Sequence, residues 1–410
     1  MAYALRAGTG GGFNVARQNR EKAIGLADKV SAGERHWIMA QQASADGDVP
    51  KIKEHIGELL KLHPNDKHAL YFAGNLTRAF DDDQALQYFT RATKIDPAFA
   101  APYNQIGYVH ISKGDYSKAE QALKQYVASR PDRPNPYDSY AELLLRMGRF
   151  DESIAQYNKA LEKDPQFVAS LTGIGHNYLF KGDYAKARDT YKRSSDQART
   201  APDRATAQLW TAVSYVHEGK PSDALAALDQ QRAIATKDGL IPNAVGTHLD
   251  AAWVLSDSGK TADARKHLDQ AWTMTEGSQV PARTKTNLQR QIVMARALVA
   301  AQAKDFSTAK AEADKAKAFI TPELPPAITE GYEGMLGVIA FAQGDANVAL
   351  QHFKKADPED VYTMFYTAEA MRMKGDTAGA AALYKKVANW NQNSLAYGMV
   401  RPKATKATGS

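Results

Sequence analysis

The side chains of this 410-residue chain that could do chemistry are ten histidines, an Asp81-Asp82-Asp83 run and a glycine cluster near the start. The histidines are His36, His55, His63, His68, His110, His176, His217, His248, His267 and His352. None is spaced as HxxH or HExxH, and zinc needs three or four converging ligands. They read as scattered structural or surface residues, and no metal site is expected. A catalytic carboxylate pair needs a defined cleft and a raised pKa, whereas the three aspartates read as the flank of a turn. Gly8, Gly10, Gly11 and Gly12 share only their glycine content with a phosphate loop: no strand precedes them and no Gly-Lys-Ser/Thr follows. The chain has no cysteine, which excludes disulfides, thiolate nucleophiles, Cys-ligated zinc and iron–sulfur clusters. With no Gly-x-Ser-x-Gly elbow either, the expectation is a protein that is not an enzyme and carries no cofactor.

Charge narrows the partners. The formal net charge is +6. All of it sits after residue 370, where Arg372, Lys374, Lys385, Lys386, Arg401, Lys403 and Lys406 face one acid, Asp376. A basic terminus is a poor footprint for duplex recognition, which needs a continuous basic face, so no specific nucleic-acid partner is expected. No apolar run approaches the roughly 20 residues that span a bilayer. The opening MAYALRAGTG is not a basic region followed by an apolar stretch, so no secretory signal is readable. The sequence leaves the compartment unknown. The missing cysteine and even charge lean toward a periplasmic or exported mature form, with the cytoplasm as the alternative.

The elements that must position any site are repeats. Pro97, Pro131 and Pro165 lie 34 residues apart, as do Gly114, Gly148 and Gly182. Tyr103, Tyr137 and Leu171 open each unit, and Gly107, Ala141 and Gly175 hold a small position in its first helix. An aromatic follows each glycine (Tyr116, Phe150, Tyr184), and Ala119, Ser153 and Ala187 sit small in the second helix. A small mid-helix residue lets a second helix approach closely. Glycine gives the turn its φ freedom, and Asp115, Asp151 or Asp183 can cap the helix that follows. Proline ends the unit. A helix pair of this kind cannot bury its apolar face alone, so it stacks on its neighbours.

These units resemble tetratricopeptide repeats. Tyr103, Ile106, Gly107, Gly114, Tyr116, Ala119 and Pro131 match the family pattern in one unit. Tyr137, Ala141, Gly148, Phe150, Tyr157, Ala160 and Pro165 match in the next, and Ile174, Gly175, Tyr178, Gly182, Tyr184, Ala187 and Tyr191 in a third. The pattern weakens outward. Turn spacings lengthen from 34 to 37, 40, 45 and 40, with Lys304 at the eighth turn, and then fall to 31. The resemblance implies an all-α, right-handed superhelical solenoid of antiparallel helix pairs, about ten repeats long. Four segments are expected: an atypical N-terminal cap or truncated repeat (1–32), a regular array (33–199), a divergent array with longer helices or loops (200–390), and a basic flexible tail (391–410).

In such a superhelix the first helix of each pair lines a concave groove. The resemblance places His68, Tyr71, Asn75 and Arg78 of the second unit in it, then Asn104 and Tyr108 of the third. Asn135, Asp138, Glu142 and Arg146 follow from the fourth unit, and Thr172, His176 and Leu179 from the fifth. Asparagine can bond both peptide groups of an extended partner, tyrosine offers rigid contact area, and the mixed charge suits a partner that is itself mixed or basic. Beyond residue 205 the equivalent positions turn apolar, with Leu209, Val213 and Val216. That stretch fits an apolar helix or the chain's own inserted segments. A subclass of the family grips the C-terminal carboxylate of chaperone peptides with Lys, Asn and Arg. Here Tyr71, Asn75, Gln105, Asn135 and Ser139 occupy those places and only Asn75 matches, so a tail of that kind is not expected as partner. The leading expectation is a non-enzymatic scaffold that holds another protein or peptide in its groove. An architectural or self-assembling solenoid is one alternative. The other is a small-ligand binder or enzyme with its site in the irregular C-terminal half.

Overall fold

The computed structural model describes residues 12–321, 324 and 326–409. Gly8, Gly10 and Gly11 of the glycine cluster lie outside them. The described residues form 22 α-helices and no strand. After α1 (Gly12–Ile24) and a 3-10 turn (Ala27–Lys29), ten helix pairs follow in order. The first five are α2 (Ala32–Asp46) with α3 (Val49–Leu62), α4 (Lys67–Thr77) with α5 (Asp82–Ile95), α6 (Ala101–Ser112) with α7 (Tyr116–Ser129), α8 (Pro134–Arg146) with α9 (Phe150–Lys163), and α10 (Val168–Phe180) with α11 (Tyr184–Gln197). The next three are α12 (Ala201–His217) with α13 (Pro221–Lys237), α14 (Ile241–Asp257) with α15 (Thr261–Glu276), and α16 (Ala282–Gln302) with α17 (Phe306–Lys317). Then come α18 (Pro326–Ala342) with α19 (Ala346–Phe353), α20 (Val361–Met373) with α21 (Thr377–Ala388), and a final helix, α22 (Leu395–Ala407). The chain divides into two compact units, one ending at Leu143 and one starting at Leu144, so the division falls inside α8.

Each helix pair forms because its sequence removes a side chain where the helices touch. A Cβ on Gly107 would lie 2.7 Å from Leu123, and one on Gly175 would lie 2.3 Å from the ring of Tyr191. Gly74 against Phe89 and Gly337 against Phe353 repeat the interlock, both at 2.4 Å. The turn between helices is left-handed at Gly182 (φ 81°), a conformation that costs a side chain energy. Lys304 adopts the same turn at φ 59° and so keeps the eighth repeat in phase. Asp115 and Asp183 cap the following helices, each accepting the backbone N–H three residues on at 3.2 Å. Asp151 does not cap: it lies inside α9 and pairs with Lys181.

Within the segment read as a flexible tail, Leu395–Ala407 form a helix. Ser394 caps α22, and Tyr397, Met399, Val400 and Ala404 are buried. Within the unit from Leu144 onward, α22 packs against α12, α14, α20 and α21. Tyr397, Val400 and Ala404 share one apolar core with Leu145, Leu179 and Phe180. Close approach is possible because residue 398 is glycine: a Cβ there would sit 3.0 Å from His217 and 3.2 Å from Val216. The basic residues are also engaged. Arg401 donates to the Phe180 carbonyl at 3.2 Å, and Lys403 pairs with Asp257.

A polar network locks the segment before α22. Tyr191 donates its hydroxyl to Nδ1 of His176 (2.7 Å), and Asn393 Nδ2 donates to the same nitrogen (3.0 Å). Nε2 of His217 donates to Asn393 Oδ1 at 3.2 Å. Burial pushes the pKa of both imidazoles down to about 3, with the Arg401 cation adding to the effect at His217.

Two outcomes follow. Gly175→Ala should lower stability by about 1–3 kcal/mol through overpacking against Tyr191, despite alanine's better helix propensity. Gly246→Ala, in the interior of α14 with nothing within 4 Å of the added carbon, should instead stabilise by up to about 1 kcal/mol; urea denaturation reads both. The second outcome concerns pH. A histidine with a depressed folded pKa binds its proton only in the unfolded chain over the window from about 6.5 to 3, so its contribution is complete above that window and is lost as pH falls through it. Each group then removes about 1.4 kcal/mol per pH unit. His217→Gln should therefore shrink the stability difference between pH 7 and pH 5 by about 2 kcal/mol. An unchanged difference would mean that this imidazole is not held neutral in the fold.

Candidate functional site

In the unit ending at Leu143, the residues expected on the inner helices form a linked polar track. Nη1 of Arg78, the C-cap of α4, donates to Oε1 of Gln105 on α6 at 3.0 Å, and its guanidinium lies 5.8 Å from the Tyr108 ring centre. The Tyr108 hydroxyl donates to Oε2 of Glu142 on α8 at 2.8 Å. Burial holds the Tyr108 pKa well above the ordinary phenol range, and the nearby charge of Glu142 and Asp138 adds to this. Cation, phenol and carboxylate therefore join one repeat to the next. Gln105, which was not among the expected groove residues, also belongs to this track.

The neighbouring residues supply surface. His68 and Asn75 are exposed, and the His68 ring centre lies 4.9 Å from that of Phe99. Tyr71 is half-buried between Phe89 and Phe99, with ring centres at 5.9 and 5.5 Å. Asn104 is half-buried and its Oδ1 has no hydrogen-bond partner. Asn135 donates to the Tyr126 hydroxyl at 3.1 Å, and Asp138 is half-buried one turn before Glu142.

In the unit from Leu144 onward, the four remaining expected residues do not make an open groove. Leu179 is fully buried in the core that receives α22. His176 is held by Tyr191 and Asn393 and stacks edge-on with Trp210 at 4.7 Å. Thr172 bonds to Ser194 of its own repeat (2.9 Å), and Arg146 donates to Gln392 at 3.1 Å. The chain's own C-terminal segment takes up this inner surface.

Part of that surface remains open as a cavity of about 500 Å³ between α14, α16, α18, α20 and α22. Trp253, Met294, Leu298, Val338, Tyr362 and Met399 line it, with Trp253 and Tyr362 meeting edge-on at 5.1 Å. Two carboxylates also line it. Asp360 is used by the fold, accepting the Thr363 backbone N–H (2.9 Å) and hydroxyl (2.6 Å) at the start of α20. Asp250 has no hydrogen bond or ion pair among the described residues, and burial raises its pKa to about 7. Repeat alignment did not point to Asp250. The available signal was one acid in the middle of the otherwise apolar stretch of α14, HLDAAWVL.

Two histidine pairs form across helix pairs, His36 with His55 (Nδ1 to Nδ1 3.2 Å) and His248 with His267 (3.1 Å). Neither gathers a third ligand: among the described residues no group of three or more His, Asp or Glu side chains is placed to hold a metal. No helix among the described residues is long and apolar enough to cross a membrane.

Comparison with known proteins agrees with the helix-pair architecture. Models of the tetratricopeptide repeat match residues 76–143, 135–167, 172–237 and 362–389. Human tetratricopeptide repeat protein 13 is 26% identical over 148 residues, which are 35% of this chain and 17% of that protein. Anaphase-promoting complex subunit 3 of Schizosaccharomyces pombe is 25% identical over 187 residues, 46% of this chain and 27% of that one. The match thus covers less than a third of either relative. A solved tetratricopeptide repeat protein from Parabacteroides merdae is 13% identical, with a TM-score of 0.47 over 64% of this chain and 98% of that one. The repeat matches, the ten helix pairs and their small-against-large interlock agree: this chain is a tetratricopeptide repeat protein.

Proposed function

We propose that the chain is a non-enzymatic scaffold that binds another protein through a peptide segment laid across α4, α6 and α8. The observation that carries this reading is the linked track Arg78–Tyr108–Glu142. Its side chains are already ordered by one another, so a ligand has less conformational entropy to remove on binding. His68 near the start of α4 and Asn75 near its end are both exposed, and an asparagine amide can bond both the N–H and the C=O of an extended peptide. Arg78 favours an acidic group on the partner, while Asp138 and Glu142 favour a basic one, so the fitting segment carries both charges. Thr172, His176 and Leu179 fall outside the proposed surface because they are engaged within the other unit. That one relative is by name a subunit of a protein complex is in keeping with a scaffold role.

A photo-crosslinking residue placed at Asn75 in cells of the source organism should capture a protein partner, and one at Gln121 on α7 should not. For the captured partner, Arg78→Ala and Glu142→Ala should each weaken binding by about tenfold or more while leaving the helical circular dichroism intact. Equal capture from Gln121, or unchanged affinity in both variants, would place the interaction elsewhere.

A further inference from the structure

We propose that the cavity between α14, α16, α18, α20 and α22 binds a small organic cation, an ammonium group on an apolar or aromatic body, with Asp250 as its counter-ion. This site lies in the other unit and does not depend on the peptide track. It begins from an imbalance. Half-buried Asp250 lines the cavity with no hydrogen bond or ion pair among the described residues, and a carboxylate partly withdrawn from water favours a partner. Other hydrogen-bonding side chains of the cavity are used by the fold: Ser394 caps α22, Thr363 donates to Asp360, and the Tyr362 hydroxyl donates to that of Tyr366. Among the described residues no lysine, arginine or histidine lines the cavity, so a positive charge to pair with Asp250 is one that a ligand brings.

The walls specify the rest of that ligand. Trp253 lies one turn along α14 from Asp250, and Tyr362 meets its ring edge-on at 5.1 Å. Aromatic rings attract ammonium groups through their negative faces, most strongly where water is excluded. Met294, Leu298, Val338 and Met399 give the far side an apolar, adaptable lining suited to a hydrocarbon or ring system. A volume of about 500 Å³ falls in the range of sites that enclose drug-sized molecules. Nothing in the packing of the helices requires an acid at position 250, because its carboxylate holds no other group in place.

The test is a fluorescence titration of the full chain with dansylcadaverine, an ammonium on an aromatic body, against dansylamide, which has the same body without the charge. Dansylcadaverine should bind saturably and be displaced by tryptamine. The isosteric Asp250→Asn should weaken it by about tenfold or more, with circular dichroism unchanged. Dansylamide should bind about tenfold more weakly and should not distinguish Asp250→Asn from the native chain. Absence of saturable binding would overturn the proposal, as would equal affinity of Asp250→Asn for dansylcadaverine. Dansylamide binding as tightly as dansylcadaverine would assign Asp250 a neutral hydrogen-bonding role instead and overturn it as well. Displacement by N-acetyl-lysine amide as effective as that by tryptamine would overturn the small-molecule assignment in favour of a lysine from a protein partner.

Discussion

The distance between the two helices of a repeat is set by a missing side chain. Gly107 against Leu123 and Gly175 against Tyr191 are separated by the same 16 residues, as is Gly337 against Phe353. Alanine does the same work elsewhere at the same offset. Ala212 shares a core cluster with Leu228, Ala252 with Leu268, and Ala368 with Tyr384. Because the interlock uses one stripe of each first helix, a second stripe is left to face the inside of the stack. What that stripe carries decides what each unit can bind. Protein interiors pack like solids, so a single added carbon at one of these contacts must displace the ring or branched side chain that fills the gap.

The inner stripes of the two units differ in kind. On α4, α6 and α8 the stripe is charged and hydrogen-bonded, stable in water without cover. From α12 onward it carries Val213, Trp253, Met294, Leu298 and Tyr362, and a contiguous apolar surface of that size is unusual on a protein that exposes it to water. Here the chain covers part of it with its own last helix. Gly398 admits α22 to the α12 surface, Tyr397 and Val400 enter the core, and Asn393 joins the two buried imidazoles. The remaining cavity is the portion of that stripe that α22 borders without filling, and among the described residues Asp250 is the acid there that the fold leaves without a partner.

Much of the architecture was legible because it depends on local chemistry. Proline, glycine and small residues at a 34-residue period mark helix ends, turns and close approaches, and each acts within one repeat. Reading became harder where that chemistry was replaced. At the eighth repeat Lys304 takes the left-handed turn in place of glycine, and Ala300 against Ala316 replaces the small-against-large contact. The repeat resemblance put Arg78, Tyr108 and Glu142 on neighbouring first helices, but their linkage to one another crosses repeats and was not legible. The departures share a long-range cause. Residues 391–410 read as a basic flexible tail, yet the helix at Leu395–Ala407 is held by contacts to residues 180–257 that no local window contains. The same contacts bury Leu179 and engage half-buried His176, which the repeat pattern alone would leave facing a groove. Asp250 gave little signal because a single acid on a helix is ordinarily solvated; its isolation is visible only once five helices surround it.

The occupation of the inner face by α22 is what separates the two units in kind, and hydrogen exchange on the full chain at pH 7 tests it most directly. If α22 is docked as described, the amides from Tyr397 to Ala404 should exchange as slowly as those in the middle of α12, since both would open only with the unit itself. Exchange of the α22 amides at the rate of an isolated helix, with α12 still protected, would show that the helix does not fill this face and that the apolar stripe is open to an external partner.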